Sequence, residues 1–311
     1  MSSKLAFVFP GQGSQSIGML ADLAEQYSVV AATFAEASDA LGLDLWALVQ
    51  NGPEAELNKT ENTQPALLTA SMAIWRAWQE NNGIQPDMLA GHSLGEYSAL
   101  VAAEVLTLAD AVKLVQQRGR FMQQAVAPGE GAMAAIIGLE DAQIEQACAD
   151  AQQGQVVSAV NYNAPGQVVI AGEKAAVDRA IELCKAAGAK RALPLPVSVP
   201  SHCALMQPAA EKLKQALEQI EFKTPVIPVV NNVDAKIETD ADAIKSALVR
   251  QLYSPVRWVD GVNTMVSAGI ESTYECGPGK VLLGLNKRIA KQLGLKALQD
   301  AASFAAAIKG D

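Results

Sequence analysis

Gly91-His92-Ser93-Leu94-Gly95 is the segment whose residue types and spacing most clearly support chemistry. The pattern of glycine, any residue, serine, any residue and glycine is typical of a tight turn from a strand into a helix, where the serine hydroxyl projects from the edge of a sheet. Small neighbours allow the strained turn to close, and the N-terminus of the helix favours negative charge developing during attack. We therefore predict that Ser93 is a nucleophile, against the alternative of a turn that happens to contain serine.

A serine nucleophile needs a base, and the sequence contains only two histidines. His92 is adjacent to Ser93, where successive side chains diverge, so we expect it to pack or form a hydrogen bond beside the turn. His202 follows a stiff, extended segment that contains three prolines. A lone loop histidine is more often inert than catalytic, but an activated serine needs an imidazole within hydrogen-bond reach. His202 is therefore the predicted general base.

The group that orients His202 is less clearly defined. No aspartate or glutamate stands in a motif that suits this role. The helix predicted to end near Tyr253 must stop before Pro255, which leaves carbonyl groups of residues 250–253 without helical partners. We expect one of these carbonyls to accept the imidazole N–H in place of a carboxylate.

Two backbone N–H groups are candidates for binding the oxyanion of a tetrahedral intermediate. The first belongs to Leu94, directly after the nucleophile, and the second should come from an early strand-to-helix loop. The Gly-rich segment 11–15 occupies that place, with the N–H of Gln12 as the candidate. This loop lacks the Gly-Lys-Ser/Thr end of a P-loop, and Ser16 stands where a dinucleotide-binding fingerprint requires glycine.

Arg118 lies on the apolar face of a predicted helix. The residues three and four positions away from it are Leu114, Val115, Phe121 and Met122. A buried guanidinium is costly without an anion, and its planar fork matches a carboxylate. We predict either a site for a substrate carboxylate or a structural salt bridge to an aspartate or glutamate.

The composition excludes several classes of function. The 311 residues are 50% hydrophobic and 18% charged, with a net charge of −9 and no concentrated basic region, so nucleic acid is not an expected partner. No signal peptide or uncharged apolar stretch of membrane-spanning length is apparent, so no membrane association is expected. The four cysteines are scattered without metal-ligand spacing. We expect a cytoplasmic enzyme with reduced thiols and no bound metal.

The order of the predicted elements indicates an α/β protein with an insertion. Residues 5–9 form a short apolar strand, as expected of a strand buried on both faces, and helices and strands then alternate. Residues 132–195 change to strand, helix, strand, strand, helix and strand, the βαββαβ order of a ferredoxin-like unit. The α/β pattern then returns, with predicted strands near 226–230 and 270–276 and helices near 208–219, 241–253 and 280–292. Before the insertion, helices are predicted at 64–79 and, as a long stretch, from Leu94.

We therefore predict two domains. Residues 1–126 and 198–311 form a discontinuous α/β catalytic domain, with a hydrolase-like parallel sheet covered by helices. Residues 127–197 form an inserted ferredoxin-like domain of about 70 residues, a suitable size for a small domain.

Several short motifs follow one another along nearly the whole chain. They are Phe9-Pro10-Gly11-Gln12-Gly13-Ser14-Gln15, Thr63-Gln64-Pro65-Ala66, Gly91-His92-Ser93-Leu94-Gly95-Glu96, Gln117-Arg118-Gly119, Pro200-Ser201-His202 and Glu275-Cys276-Gly277-Pro278-Gly279. This set resembles the malonyl-CoA–acyl carrier protein transacylases of bacterial fatty-acid synthesis. Several motifs in the right order are far more specific than any one of them.

The resemblance implies a reaction and a set of roles. The reaction is transfer of a malonyl group from malonyl-CoA to the phosphopantetheine thiol of acyl carrier protein, through an acyl-enzyme on Ser93 and with no metal or redox cofactor. The carrier protein is then a transient partner, and we separately expect the enzyme to be a monomer. The implied site residues are Ser93 as nucleophile, His202 as base, Gln12 and Leu94 as oxyanion donors, Arg118 as clamp for the malonyl carboxylate and the Gln251 carbonyl as orienter of His202.

Acyl specificity and the type of activity leave alternatives open. In polyketide-synthase acyltransferases, the residue before the catalytic histidine is typically phenylalanine in malonyl-specific modules and serine in methylmalonyl-specific ones, and Ser201 stands at that position here. A serine hydrolase such as a thioesterase would share the serine and the base but gives no role to a buried Arg118. A non-catalytic subunit that binds acyl-CoA would never form a covalent adduct.

An acidic enzyme and an acidic carrier protein repel each other, so docking should depend on local basic clusters. The first predicted cluster is Lys190 with Arg191, at the edge of the inserted domain. The second is Lys287 and Arg288 with Lys291, on one late helix. The alternative for both is a solvated helix or strand face.

Overall fold

The computed structural model describes residues 4–197 and 199–310. The strands are β1 (Lys4–Phe9), β2 (Met88–Gly91), β3 (Gly131–Ile137), β4 (Val157–Ala164), β5 (Gln167–Glu173), β6 (Arg191–Pro194), β7 (Val229–Val230), β8 (Ile270–Glu275) and β9 (Gly294–Ala297). The predicted domain limits at residues 1, 198 and 311 lie outside the described residues.

The helices surround these strands. They are α1 (Ala21–Gln26), α2 (Ser28–Leu41), α3 (Leu45–Asn51), α4 (Glu54–Leu57), α5 (Thr60–Glu80), α6 (Gly95–Ala102), α7 (Leu108–Ala125), α8 (Asp141–Ala151), α9 (Lys174–Ala186), α10 (Gln207–Glu218), α11 (Ala241–Gln251), α12 (Trp258–Ser267), α13 (Val281–Ile289) and α14 (Ala301–Lys309). Within the described part of the chain, none is both long and apolar enough to cross a membrane.

The apolar strand β1 lies at the centre of a five-stranded parallel sheet in the order β7-β2-β1-β8-β9. Phe7 and Phe9 on one face pack into the core formed with helices such as α5 and α7, while Ala6 and Val8 on the other face pack into a second core with α12 and α13. Strand β1 is therefore buried on both faces, which explains its continuous apolar run. The predicted parallel sheet covered by helices is confirmed.

The second sheet is antiparallel, with the order β4-β5-β3-β6. Its element order is βαββαβ, as the sequence predicts. Ala134 and Ile136 on one face of β3 pack against helices α8 and α9. Met133 belongs to the opposite face, where it packs near Cys203, the residue that follows His202. Because side chains alternate along a strand, β3 presents one set of residues to its own helices and another to the site.

Main-chain hydrogen bonds join β4 of the smaller sheet to Val256, in the segment between α11 and α12. The Val256 N–H donates to the Val160 carbonyl (2.8 Å), and the Tyr162 N–H donates to the Val256 carbonyl (3.0 Å). A bulge in β4 accompanies this contact, since the pairing of β4 with β5 shifts between Ala159 and Asn161. The smaller sheet is thereby fixed to a segment whose Val256 side chain packs in the same core as Ala6 and Val8 of β1.

The structure corrects several sequence-based limits. The predicted strand at 226–230 contains only Val229–Val230, because Pro225 and Pro228 cannot donate to a sheet. The predicted long helix starting at Leu94 is the short helix α6, with Leu94 as its N-cap, and helix α7 follows after a turn. The pattern did not indicate β9, which has four residues, or the terminal helix α14.

Candidate active site

Ser93 lies on the turn between β2 and α6 with a positive φ of 52°, a conformation that costs energy for a non-glycine residue. The two motif glycines permit this turn. A Cβ at Gly91 would lie 1.9 Å from the Gly95 backbone, and one at Gly95 would lie 2.0 Å from the Phe9 carbonyl oxygen. The glycines therefore allow the strand, the turn and the helix to pack at backbone contact distance.

Two amide side chains hold the strained turn in place. The Ser93 N–H donates to Asn232 Oδ1 (2.7 Å), and Asn232 Nδ2 donates to the Gly91 carbonyl (2.7 Å). Gln251 Nε2 donates to the Ser93 carbonyl (3.0 Å). These contacts satisfy backbone groups on both sides of the serine, which stabilises its unusual backbone conformation.

His202 lies within hydrogen-bond distance of the serine, as its predicted role requires. The Ser93 Oγ and His202 Nε2 atoms are 2.8 Å apart. On the other side of the ring, His202 Nδ1 is 2.7 Å from the Gln251 carbonyl oxygen. A carbonyl can only accept, so Nδ1 carries the proton and Nε2 is left as the acceptor for the serine hydroxyl. Among the carbonyls of residues 250–253, the structure thus places that of Gln251 against the imidazole.

The buried environment keeps this imidazole neutral. His202 is 3% exposed, and burial, followed by the positive charge of Arg118, lowers its pKa from 6.5 to about 3. The hydrogen bond to the Gln251 carbonyl acts in the opposite direction. A neutral imidazole near pH 7 is the form that can accept a proton from Ser93.

His92 turns away from the nucleophile, as expected from its position beside it. Its Nε2 atom lies 2.8 Å from Asn163 Oδ1 of the smaller sheet, and its ring is 5.5 Å from that of Trp258. Burial lowers the pKa of His92. Its contacts fit packing and hydrogen bonding between the two sheets rather than proton transfer at Ser93.

Arg118 is 1% exposed and points at Ser93. Its Nη2 donates to Ser93 Oγ (3.3 Å) and to Gln251 Oε1 (3.0 Å), and its Nη1 donates to Gln64 Oε1 (2.9 Å). The guanidinium carbon lies 5.4 Å from the centre of the Tyr97 ring. None of the ion pairs found among residues 4–197 and 199–310 includes Arg118, which argues against the alternative of a structural salt bridge.

A cavity of about 230 Å³ opens in front of the serine and receives residues from both sheets. The predicted residues that line it are Gln12, Ser93, Leu94, Arg118 and His202. The Gln12 side chain donates to Thr60 Oγ1 (3.3 Å), which anchors the Gly-rich loop beside the cavity. A larger groove of about 500 Å³, lined in part by Glu36 and Glu104, contains none of these residues.

The smaller sheet supplies the opposite wall of this cavity. Met133, Asn161, Val169 and Leu195 line it there, while Ser201 lines it beside His202. The acyl and thioester parts of a substrate would therefore lie between the two sheets.

In the described residues, no group of three or more His, Cys, Asp or Glu side chains is placed to hold a metal ion.

Two of the basic residues predicted for docking, Lys190 and Arg288, lie near the turn between β4 and β5 of the smaller sheet. The Lys190 side chain packs over Gly138, whose N–H donates to the Gly166 carbonyl (2.8 Å). Arg288 reaches the same turn and donates to the Pro165 carbonyl (3.3 Å), and also to the side chain of Gln167. Arg288 therefore links helix α13 to the smaller sheet, a contact that the sequence did not indicate.

Three buried residues of the site were not assigned a role from the sequence. They are Glu96, Asn232 and the side chain of Gln251. Glu96 stands beside the nucleophile motif, and its charge within an apolar helix is a signal that could have been followed. Asn232 is the second residue after β7 of the parallel sheet, a place where ligand-contacting residues are common.

A parallel sheet that carries a serine on a strand-to-helix turn, within reach of a buried neutral imidazole and with a buried arginine facing the serine, is the arrangement of an α/β acyl-transfer enzyme. The acyl transferase domain family matches residues 6–303. The malonyl CoA-acyl carrier protein transacylase of Escherichia coli (strain K12) is 64% identical over 307 residues, with 99% of each chain covered.

Solved structures agree with this comparison. An acyl carrier protein S-malonyltransferase from Vibrio cholerae has a TM-score of 0.96 and 66% identity, covering 98% of this chain and 99% of that one. A malonyl-transacylase in complex with its type II PKS acyl-carrier protein has a TM-score of 0.98 and 62% identity, covering 99% and 100%. The chain belongs to the acyl transferase domain family, among the malonyl CoA-acyl carrier protein transacylases, and is an acyltransferase.

Proposed function

We propose that this enzyme transfers a malonyl group from malonyl-CoA to the phosphopantetheine thiol of acyl carrier protein, supplying fatty-acid chain elongation, in two steps that share one acyl-enzyme. The observation that carries the mechanism is the 2.8 Å contact between Ser93 Oγ and His202 Nε2, with Arg118 Nη2 at 3.3 Å from the same oxygen. This combination provides a nucleophile, a base and a positive charge at one point.

In the first step, Ser93 Oγ attacks the thioester carbonyl while its proton passes to His202 Nε2. The backbone N–H groups of Leu94 and Gln12 stabilise the resulting oxyanion, with help from the N-terminus of α6. When the C–S bond breaks, His202 returns the proton to the sulfur of CoA, which leaves as a thiol. The Gln251 carbonyl supports the imidazolium that forms between these events.

In the second step, the carrier-protein thiol gives its proton to His202 and attacks the malonyl ester of Ser93. The ester C–O bond breaks, and His202 returns the proton to the serine oxygen. Atoms and charge balance without a metal or redox cofactor, so we propose that the enzyme needs none. Water must be kept from the ester between the two steps, and the position of the cavity between the two sheets favours this.

Arg118 gives this site its preference for a carboxylated acyl group. Its partners Gln64, Gln251 and Ser93 are neutral, so its charge is available to the free carboxylate of a malonyl group. The reaction mechanism alone also allows a methylmalonyl group. Ser201, which lines the cavity, is the position at which the site would discriminate between malonyl and this branched group.

We further propose the domain division into residues 1–126 with 198–311 and residues 127–197, since the antiparallel sheet and its two helices lie within the second range. The carrier protein would dock near Lys190, Arg191 and Lys287, with its prosthetic arm entering between the sheets. We propose that the enzyme acts as a monomer in the cytoplasm, a reducing compartment that suits its four free, buried cysteines.

The rival function is thioester hydrolysis, which uses the same serine and base. The two are separated by measuring CoA release from malonyl-CoA with and without the carrier-protein thiol. A transferase releases a single equivalent of CoA per enzyme until the thiol is added, and malonyl then appears on the carrier. Continuous CoA release that is unaffected by the thiol would identify a hydrolase and contradict this proposal.

A non-catalytic subunit that only binds acyl-CoA would release no CoA. The same experiment therefore excludes it as soon as the first equivalent of CoA is detected.

A further inference from the structure

The side chain of Gln251 lies between the two buried charged groups of the site. Arg118 Nη2 donates to its Oε1 (3.0 Å), and its Nε2 donates to Glu96 Oε2 (2.8 Å). The three residues are 1%, 0% and 2% exposed, in the order Arg118, Gln251 and Glu96. A buried cation and a buried carboxylate are thus connected through one neutral amide and do not touch each other.

Glu96 has its own set of donors, apart from the guanidinium. Its Oε2 atom accepts from the Gln251 side chain and from the Asn232 N–H (3.0 Å). Burial raises the pKa of Glu96 to about 7, while these two hydrogen bonds and then the more distant charge of Arg118 act to lower it. The carboxylate is therefore held by the same two residues that hold the Ser93 turn.

The orientation of the amide suits both neighbours. Its carbonyl end faces the cation and its NH₂ end faces the carboxylate, so each charge meets the favourable end of the amide dipole. A direct pair between Arg118 and Glu96 would be a strong charge-assisted contact, and a substrate carboxylate would have to displace it. The inserted amide avoids this competition.

We propose that the Gln251 side chain is a positioning residue that keeps Glu96 away from Arg118 and aims the guanidinium at the acyl group on Ser93. This inference rests on the proposed function, in which Arg118 binds the malonyl carboxylate. It is separate from the role of the Gln251 carbonyl, which accepts from His202 and is retained in any side-chain variant.

The test is the ratio of kcat/KM for malonyl-CoA to that for acetyl-CoA, measured from acyl-enzyme formation. In Gln251→Glu, a carboxylate takes the place of the amide oxygen beside Arg118 and competes with the substrate. We expect the ratio to fall about 100-fold, which corresponds to about 2.7 kcal/mol. Acetyl transfer should fall less, by about tenfold, because the carbonyl that holds His202 remains while the hydrogen bond from the side chain to the Ser93 carbonyl is lost.

The exchange variant Glu96→Gln with Gln251→Glu tests whether the position of the buried carboxylate, rather than the number of buried carboxylates and amides, sets the ratio. It contains one buried carboxylate and one buried amide, as the wild type does, but with the carboxylate next to Arg118. The ratio should stay as low as in Gln251→Glu, whereas Glu96→Gln alone should keep the ratio within about threefold of wild type. A restored preference in the exchange variant would overturn the proposal.

Folding is checked separately. Asn286→Asp is the matched control, because Asn286 is a fully buried amide that bonds Trp258 and Thr273 rather than Arg118. Its malonyl-to-acetyl ratio should be unchanged whatever its stability. If the carboxylate variants do not fold, Gln251→Met decides the matter: the guanidinium loses one acceptor, and the ratio should fall about tenfold or more.

The outcomes distinguish this inference from the proposed function. A wild-type enzyme that forms no malonyl adduct on Ser93 contradicts the proposed function. A wild type that is malonylated, together with Gln251 variants that lose malonyl and acetyl transfer equally or not at all, contradicts only the role of the Gln251 side chain.

Discussion

Replacing Arg118 with alanine should separate malonyl transfer from acetyl transfer, because only the malonyl group carries a free carboxylate. The guanidinium lies 3.3 Å from Ser93 Oγ and is almost completely buried. Its hydrogen bonds go to oxygens of neutral side chains, so no neighbouring carboxylate directly neutralises it. An acyl group attached to the serine oxygen therefore begins next to an available positive charge.

The expected magnitude follows from this burial. A charge-assisted contact in a site without water contributes about 2–5 kcal/mol. At about 1.4 kcal/mol per factor of ten, Arg118→Ala should lower kcat/KM for malonyl-CoA by about 30- to 4,000-fold. Acetyl-CoA should lose about tenfold at most, from the missing hydrogen bonds to Ser93 and Gln251.

The assay is stopped-flow or quenched measurement of acyl-enzyme formation with each CoA ester, together with thermal unfolding. Arg120→Ala is the matched control, since Arg120 lies two residues further along α7, is half exposed and pairs with Glu61 at the surface. Its effect on either substrate should be about threefold or less. Equal losses for malonyl and acetyl in Arg118→Ala, accompanied by a lower melting temperature, would refute the reasoning and favour a structural role.

Three further predictions concern the base and the partner. His202→Ala should slow both half-reactions by about a thousandfold or more; loss of the second half-reaction alone would rule out His202 as the base for the serine. The pKa of His202 is lowered to about 3 in the folded protein, below its unfolded value of 6.5. The stability that the neutral ring provides is therefore complete above pH 6.5 and is lost as the pH falls towards 3. The free energy of unfolding should decrease over this range by about 1.4 kcal/mol per pH unit at most. Urea unfolding between pH 7 and 4 should therefore show a steeper loss in wild type than in His202→Ala, and parallel curves would contradict this. The double variant Lys287→Glu with Lys190→Glu should raise KM for the carrier protein but not for free pantetheine. It leaves the structural contact of Arg288 intact. An equal loss of activity with both acceptors would mean that these lysines do not dock the carrier.

The pairing of Ser93 with His202 could be predicted from the sequence because each residue has a local signal. Ser93 stands between two glycines that the turn requires, and only one histidine remained as a candidate base after His92 was set aside. The helical spacing that placed Arg118 on an apolar face also reports burial directly. These features depend on neighbours within a few positions, which a sequence displays.

The supporting contacts could not be predicted because they join residues far apart in the chain. Asn232 and Gln251 meet the Ser93 turn across more than a hundred positions, and nothing near either residue indicates that partner. The orienting carbonyl could be restricted to residues 250–253, yet which carbonyl faces His202 depends on how α11 ends in three dimensions. For the same reason, the sequence did not indicate that the exposed Arg288 contacts the turn between β4 and β5.

The most direct test of the account is intact-mass and peptide mass spectrometry after brief exposure of the enzyme to malonyl-CoA without an acceptor. The account predicts one malonyl group per chain, attached to Ser93, absent in Ser93→Ala and removed when carrier-protein thiol is added. Slower labelling by acetyl-CoA is expected from the role of Arg118. A malonyl group on another residue, or transfer to the carrier without any adduct on Ser93, would contradict it.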